Sequence, residues 1–86
     1  MALVYLKMVE DGITRKDFII NTKNIKSVLN LGDMNNPEFE VCLMSGTAFN
    51  FNQLYYQGNF VNVYKTDQLY KLLTKLERGE IQDGSA

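Results

Sequence analysis

Apolar and polar residues alternate most regularly between Phe39 and Phe51, FEVCLMSGTAFNF. Phe39, Val41 and Leu43 alternate with Glu40 and Cys42, and Phe49 and Phe51 alternate with Asn50 and Asn52. This is the two-residue period of strands buried on one face. The period breaks at Ser45-Gly46, where glycine can supply the positive φ of a tight turn. The stretch therefore predicts the central hairpin of a small antiparallel sheet. Its loop length leaves the register open by one residue, and such a slip would exchange the buried and exposed faces.

Leu3 to Val9, LVYLKMV, is apolar on both faces apart from Lys7, as in a strand that lies inside a sheet or is covered by another chain. A turn at Glu10-Asp11-Gly12 leads to a strand from Ile13 or Arg15 to Ile20. Asn21 to Asn24 predicts a side-chain-capped turn or one short helical turn, and Lys26 to Leu31 a further strand. Gly32 to Pro37 predicts an exposed, mobile loop. Gln53 to Asn59 has no clear period, and Phe60 to Lys65 predicts the final strand. The helix signals come last: Thr66 as N-cap, Asp67 in the first turn and Gly79 as the stop. Leu69, Leu72, Leu73 and Leu76 form one apolar stripe. Full burial of each leucine contributes about 1.5–3 kcal/mol, so the stripe must be covered.

With 86 residues, the chain predicts a single domain over 1–79 followed by a flexible polar tail over 80–86. Apolar residues at 45% and charged residues at 22% are the proportions of a globular chain. The formal net charge of −1 favours neither nucleic acid nor an anionic membrane. The single cysteine, Cys42, has no partner for an intramolecular disulfide, which fits a reducing compartment. No apolar run has the length of a membrane span, and the start has no signal-peptide pattern. The expected location is cytoplasmic.

Histidine is absent, which removes the usual general base and the commonest metal ligand. Glu38 and Glu40 share a strand face, the one candidate acid and base pair, but a solvated face explains them more simply. Asp33, Asn35 and Asn36 lack the glycine and terminal glutamate of a calcium loop. The glycines fall one per turn, unlike a phosphate-binding loop. The expectation is therefore a non-enzymatic chain with no cofactor. Two features point to binding. Tyr55 and Tyr56, beside Leu54 and Phe60, have the amphipathic bulk of interface anchors, with one tyrosine expected to pack on the core. Arg15, Lys16, Lys23 and Lys26 stand against Asp17 alone between Gly12 and Gly32, which could track a phosphate backbone or simply protect strand edges.

The succession of FIIN, a capped turn at TKNIKSV, a strand pair around SGTAFNF and a last strand feeding a helix resembles the small flagellar-regulator family, over Asp17 to Leu76. That family's turn reads as asparagine-glycine followed by a basic residue. Here it is Ser45-Gly46-Thr47, and an additional connection from Asn52 to Asn59 intervenes. The resemblance is one of pattern, and no function or residue role is carried over from it.

Together these readings predict an α+β domain: an antiparallel sheet of five or six strands with one C-terminal helix packed on one face. Leu3, Tyr5, Ile19, Met44 and Tyr64 are too apolar for a freely solvated second face, which predicts a two-fold homodimer through sheet faces or edges. The leading functional expectation is a non-enzymatic protein-interaction module, a small oligomeric regulator or inhibitor of a larger protein. Its brevity fits a phage or mobile-element product directed at host machinery. The alternatives are weak nucleic-acid binding through the basic segment, and capture of a small ligand at a subunit boundary.

Overall fold

A computed structural model describes residues 2–78. Among these residues seven strands precede one helix: β1 (Leu3–Glu10), β2 (Ile13–Asn21), β3 (Ile25–Asn30), β4 (Phe39–Leu43), β5 (Ala48–Phe51), β6 (Gln53–Tyr56), β7 (Asn59–Val61) and α1 (Thr66–Arg78), with one 3₁₀ turn at Thr22–Asn24. All pairings are antiparallel, so the α+β class and the C-terminal helix are as the sequence predicts. The expected single sheet of five or six strands is not found. There are two sheets, a four-stranded one in the order β2-β1-β6-β7 and a three-stranded one in the order β3-β4-β5.

Asn52 marks the division. It stands between β5 and β6, at the corner where the chain leaves one sheet and enters the other. Its backbone N–H donates to the Lys7 carbonyl at 2.9 Å. Its side-chain Oδ1 accepts from the Val9 N–H at 2.9 Å, and its Nδ2 donates to the Val9 carbonyl at 2.7 Å. The amide thus imitates one more residue of ladder on β1, beside the bulge that Arg15 inserts opposite Met8 and Val9. Inward positions also change phase here. They are odd before the corner, at Phe49 and Phe51, and even after it, at Leu54 and Tyr56.

The central hairpin is β4–β5. Phe39, Val41 and Phe51 are buried, and the Phe39 and Phe51 rings stack at 5.5 Å across the register pair. Its turn closes with Gly46 N–H to the Leu43 carbonyl at 2.8 Å, Gly46 taking φ 94°. Two further hairpins turn on residue pairs with positive φ. These are Asp11-Gly12 between β1 and β2, and Gln57-Gly58 between β6 and β7. The second lies in the stretch without a clear period, which is why periodicity alone does not mark β6. β7 ends at Val61, short of the expected Lys65, and the chain then crosses irregularly to the helix with Val63 buried.

The sheets face each other, with Phe18 of β2 against Phe49 of β5 at 4.4 Å, and α1 closes the side between them. Leu69 and Leu76 are fully buried, and Leu72 and Leu73 partly so. Leu69 and Leu73 join Val4, Leu6, Val41, Phe51 and Leu54 around an apolar space of about 10 Å³, at the lower limit for one water. The helix start differs in detail from expectation. Thr66 is the first helical residue and its Oγ1 accepts from Asn30 Nδ2 at 3.0 Å. Gln68 does the capping, its Oε1 accepting from the N–H groups of Tyr64 and Lys65 at 3.1 and 3.2 Å. At the other end of the helix Thr22 donates its hydroxyl to Glu77, while its own N–H donates to the Ala2 carbonyl at 2.8 Å. The Gly79 stop and the tail over 80–86 lie outside the described residues.

The segment expected to be an exposed, mobile loop is exposed at Leu31 and from Asp33 to Asn36, and carries local hydrogen bonds. Asp33 Oδ1 accepts from the N–H groups of Asn35 and Asn36 at 2.9 and 2.8 Å, and Leu31 N–H donates to the Glu38 carbonyl at 2.9 Å. Gly32 is required there, since a Cβ on it would lie 2.1 Å from the Asn36 carbonyl oxygen.

Two stability changes are expected. Asn52→Ala strands the Val9 N–H and carbonyl, and should lower unfolding free energy by about 1–3 kcal/mol in a urea titration. Gln57 holds φ 53°, where asparagine is better tolerated, so Gln57→Asn should raise stability by about 0.5–1 kcal/mol in the same titration.

Candidate functional site

Strand alternation sends Val4 and Leu6 inward and Leu3, Tyr5 and Lys7 to the outer face of the four-stranded sheet. Register then fixes their neighbours. Tyr5 pairs with Ile19 on β2 and with Tyr55 on β6, and Tyr55 pairs with Phe60 on β7. One row therefore crosses the whole sheet: Ile19, Tyr5, Tyr55, Phe60. Tyr5 and Tyr55 have ring centroids 5.7 Å apart, and Tyr55 and Phe60 5.4 Å apart. Ile19 is 66% exposed, Phe60 53% and Leu3, flanking the row, 63%, far more than core residues retain.

A polar row runs beside it, formed by Asp17, Lys7 and Gln53 through the same registers. Lys7 Nζ stands 5.4 Å from the Tyr5 centroid and 5.1 Å from that of Tyr55. The Tyr5 hydroxyl donates to Asp17 Oδ2 at 2.7 Å, and the Tyr55 hydroxyl to Gln53 Oε1 at 3.2 Å. The hydrogen bond to Asp17, reinforced by the carboxylate's charge, raises the Tyr5 pKa above its ordinary 10.0. One cation and one carboxylate leave the face without net charge, and the polar groups are largely occupied by one another.

The predicted partner-binding residues divide by strand parity. Tyr55 and Phe60 lie on this face, whereas Leu54 and Tyr56 point into the core. Leu3, Tyr5 and Ile19, assigned from the sequence to a separate uncovered face, join Tyr55 and Phe60 in the same patch. Met44 lies instead in the β4–β5 turn, and Tyr64 in the segment entering α1. Lys7, Asp17 and Gln53 were not singled out in the sequence, although the odd positions of β1 mark the outward side.

The structure does not assemble the four predicted basic residues. Arg15 is the bulged residue near the start of β2, with its Nε 3.4 Å from Glu10 Oε1, and Lys16 is its neighbour. Lys23 and Lys26 follow the far end of β2, and strand rise alone puts on the order of 20 Å between the two pairs. Glu38 accepts from Asn50 Nδ2 at 2.8 Å, and Glu40 is registered between Leu29 and Asn50. Among the described residues no three His, Cys, Asp or Glu side chains are grouped to hold a metal ion, and no helix is long and apolar enough to cross a membrane. Two other concavities occur. An apolar groove of about 410 Å³ lies between α1 and the 3₁₀ turn, lined by Thr22, Ile25, Tyr70, Leu73, Thr74 and Glu77. A polar one of about 580 Å³ includes Glu10, Asp11, Asn35, Asn36, Glu38 and Asn52.

No protein-family model, curated protein sequence or solved structure matches the chain.

The raised Tyr5 pKa has a testable sign. Its protonated form contributes stability that is complete below pH 10, the unfolded value, and is lost as pH rises through the higher folded value. Tyrosinate absorbance should therefore show one tyrosine titrating late. Asp17→Asn should bring that titration back towards 10.

Proposed function

We propose that this chain is a non-enzymatic protein-interaction module, a small regulator or inhibitor of a larger protein, working in the cytoplasm, with a mobile-element origin fitting its size. The outer row of Ile19, Tyr5, Tyr55 and Phe60 supports this reading. The opposite side of the same sheet is buried by β3–β5 and α1, so the sheet already has its core, and a second apolar face is not needed for folding. Tyrosine and phenylalanine offer a broad, stiff surface with little side-chain entropy to lose. The neutral charge, and a single lysine set over the Tyr5 and Tyr55 rings, favour a partner of ordinary protein surface over a phosphate backbone, which calls for several cations in register.

The test is capture of partners on the immobilised protein from host-cell extract, with and without nuclease, comparing wild type with Tyr55→Asp/Phe60→Asp. A nuclease-resistant partner retained by wild type and lost at least about tenfold by the variant is expected. Capture that nuclease abolishes would favour the nucleic-acid alternative, and a partner indifferent to the substitutions would remove this face from consideration.

A further inference from the structure

We infer that two copies of this chain pair through the outer face of the four-stranded sheet, about a two-fold axis that runs parallel to the strands between β1 and β6. This deepens the proposed reading by naming one occupant of its surface. The argument is the order of side chains in the row. From β2 to β7 it reads large apolar, tyrosine, tyrosine, large apolar, and it reads the same in reverse.

A two-fold axis between β1 and β6 exchanges β1 with β6 and β2 with β7. Ile19 then meets the partner's Phe60, and Tyr5 meets the partner's Tyr55. Each apolar residue finds another at the same height along the strand, the interdigitation that stacked sheets require. The polar row is accommodated by the same operation. Lys7 meets the partner's Gln53, and the two lysines stand about one strand spacing, roughly 4.8 Å, apart across the axis instead of head on. An axis along β1 would instead set Lys7 against the partner's Lys7. An axis perpendicular to the strands, along the aromatic row, would set the Lys7 row against the apolar Leu3 side.

Area fixes the strength. Four strands about 4.8 Å apart, with roughly six residues of about 3.3 Å rise, give a footprint on the order of 400 Å² per subunit. A standard stable interface removes about 800 Å² from each partner. The pairing therefore belongs to the weak, exchanging class, with dissociation in the micromolar range or above. A copy and a target protein compete for the same residues, so the free face becomes available as concentration falls.

The test is sedimentation equilibrium over a concentration series on folded protein, with circular dichroism as the folding control. Ile19→Glu and Phe60→Lys change side chains that are 66% and 53% exposed, so both variants should fold. Wild type should show a monomer–dimer equilibrium, and each variant alone should dissociate at least about tenfold more readily. An equimolar mixture of the two should recover dimer, because the carboxylate introduced at position 19 of one subunit then faces the ammonium introduced at position 60 of the other, while the second contact stays native. A mixture of Ile19→Glu with Ile19→Lys should not. Wild type that is monomeric up to about 1 mM, or recovery in the second mixture and not the first, overturns the inference. A monomeric wild type leaves the capture experiment standing, and a failed capture leaves the dimer measurement standing, so the two readings fail separately.

Discussion

The architecture depends on a carboxamide doing the work of a peptide group. Asn52 sits where the chain turns from the three-stranded sheet into the four-stranded one, and both ends of its side-chain amide bond the backbone of Val9. A chain that changes sheets has to leave some ladder groups without a neighbour, and a buried or half-buried peptide left unpaired is costly. Here the bulge at Arg15 and the corner at Asn52 fall at the same level of β1. The Asn52 side chain supplies Val9 with both of its hydrogen-bond partners on the side away from the bulge. Because that corner holds, β5 and β6 follow one another in sequence yet belong to opposite walls of the core.

Folding the strands into two walls decides what is inside and outside. A single flat sheet with one helix would have buried one surface and left a wide second one. Two facing sheets enclose Phe39, Val41, Phe51, Val4, Leu6 and Leu54 without help from another chain, and the helix seals the open side with Leu69 and Leu76. The outer surface of the three-stranded sheet is mixed, with Leu29, Glu40 and Asn50 in one register row and Ser27, Cys42 and Ala48 in the next. That contrast makes the aromatic row on the other wall conspicuous. Both outer surfaces belong to one small domain under the same folding demands, and only the outer face of the four-stranded sheet carries a row of adjoining aromatic rings.

Much of this was legible before the structure. The alternation from Phe39 to Phe51, the leucine stripe of the helix and the glycine turns state local facts that packing respects. The division into two sheets was not legible, because it is set by pairing between strands far apart in sequence, β1 with β6. The shift of the inward positions from odd at Phe51 to even at Leu54 is its only trace in the pattern. The surface was visible in halves. Tyr55 and Phe60 stood out by type, and Leu3, Tyr5 and Ile19 by excess apolarity, but pairing across strands is needed to place them in one patch. The basic residues show the reverse case, since closeness in sequence placed them together and the length of β2 separates them.

The small 3₁₀ turn has a consequence for how the chain reaches this state. Thr22 ties the first described residue, Ala2, through its N–H, and the last turn of the helix, Glu77, through its hydroxyl. The second of these contacts joins residues 55 apart, and the helix it anchors supplies the lid of the core. The hairpins can form early from neighbours, but their apolar sides meet nothing lasting until the farthest segment returns. Such closure is governed by chain topology more than by local propensity, so folding should be slow for a domain of this size and concerted at its final step. The knot of Ala2, Thr22 and Glu77 marks where the beginning and the end of that process are brought together.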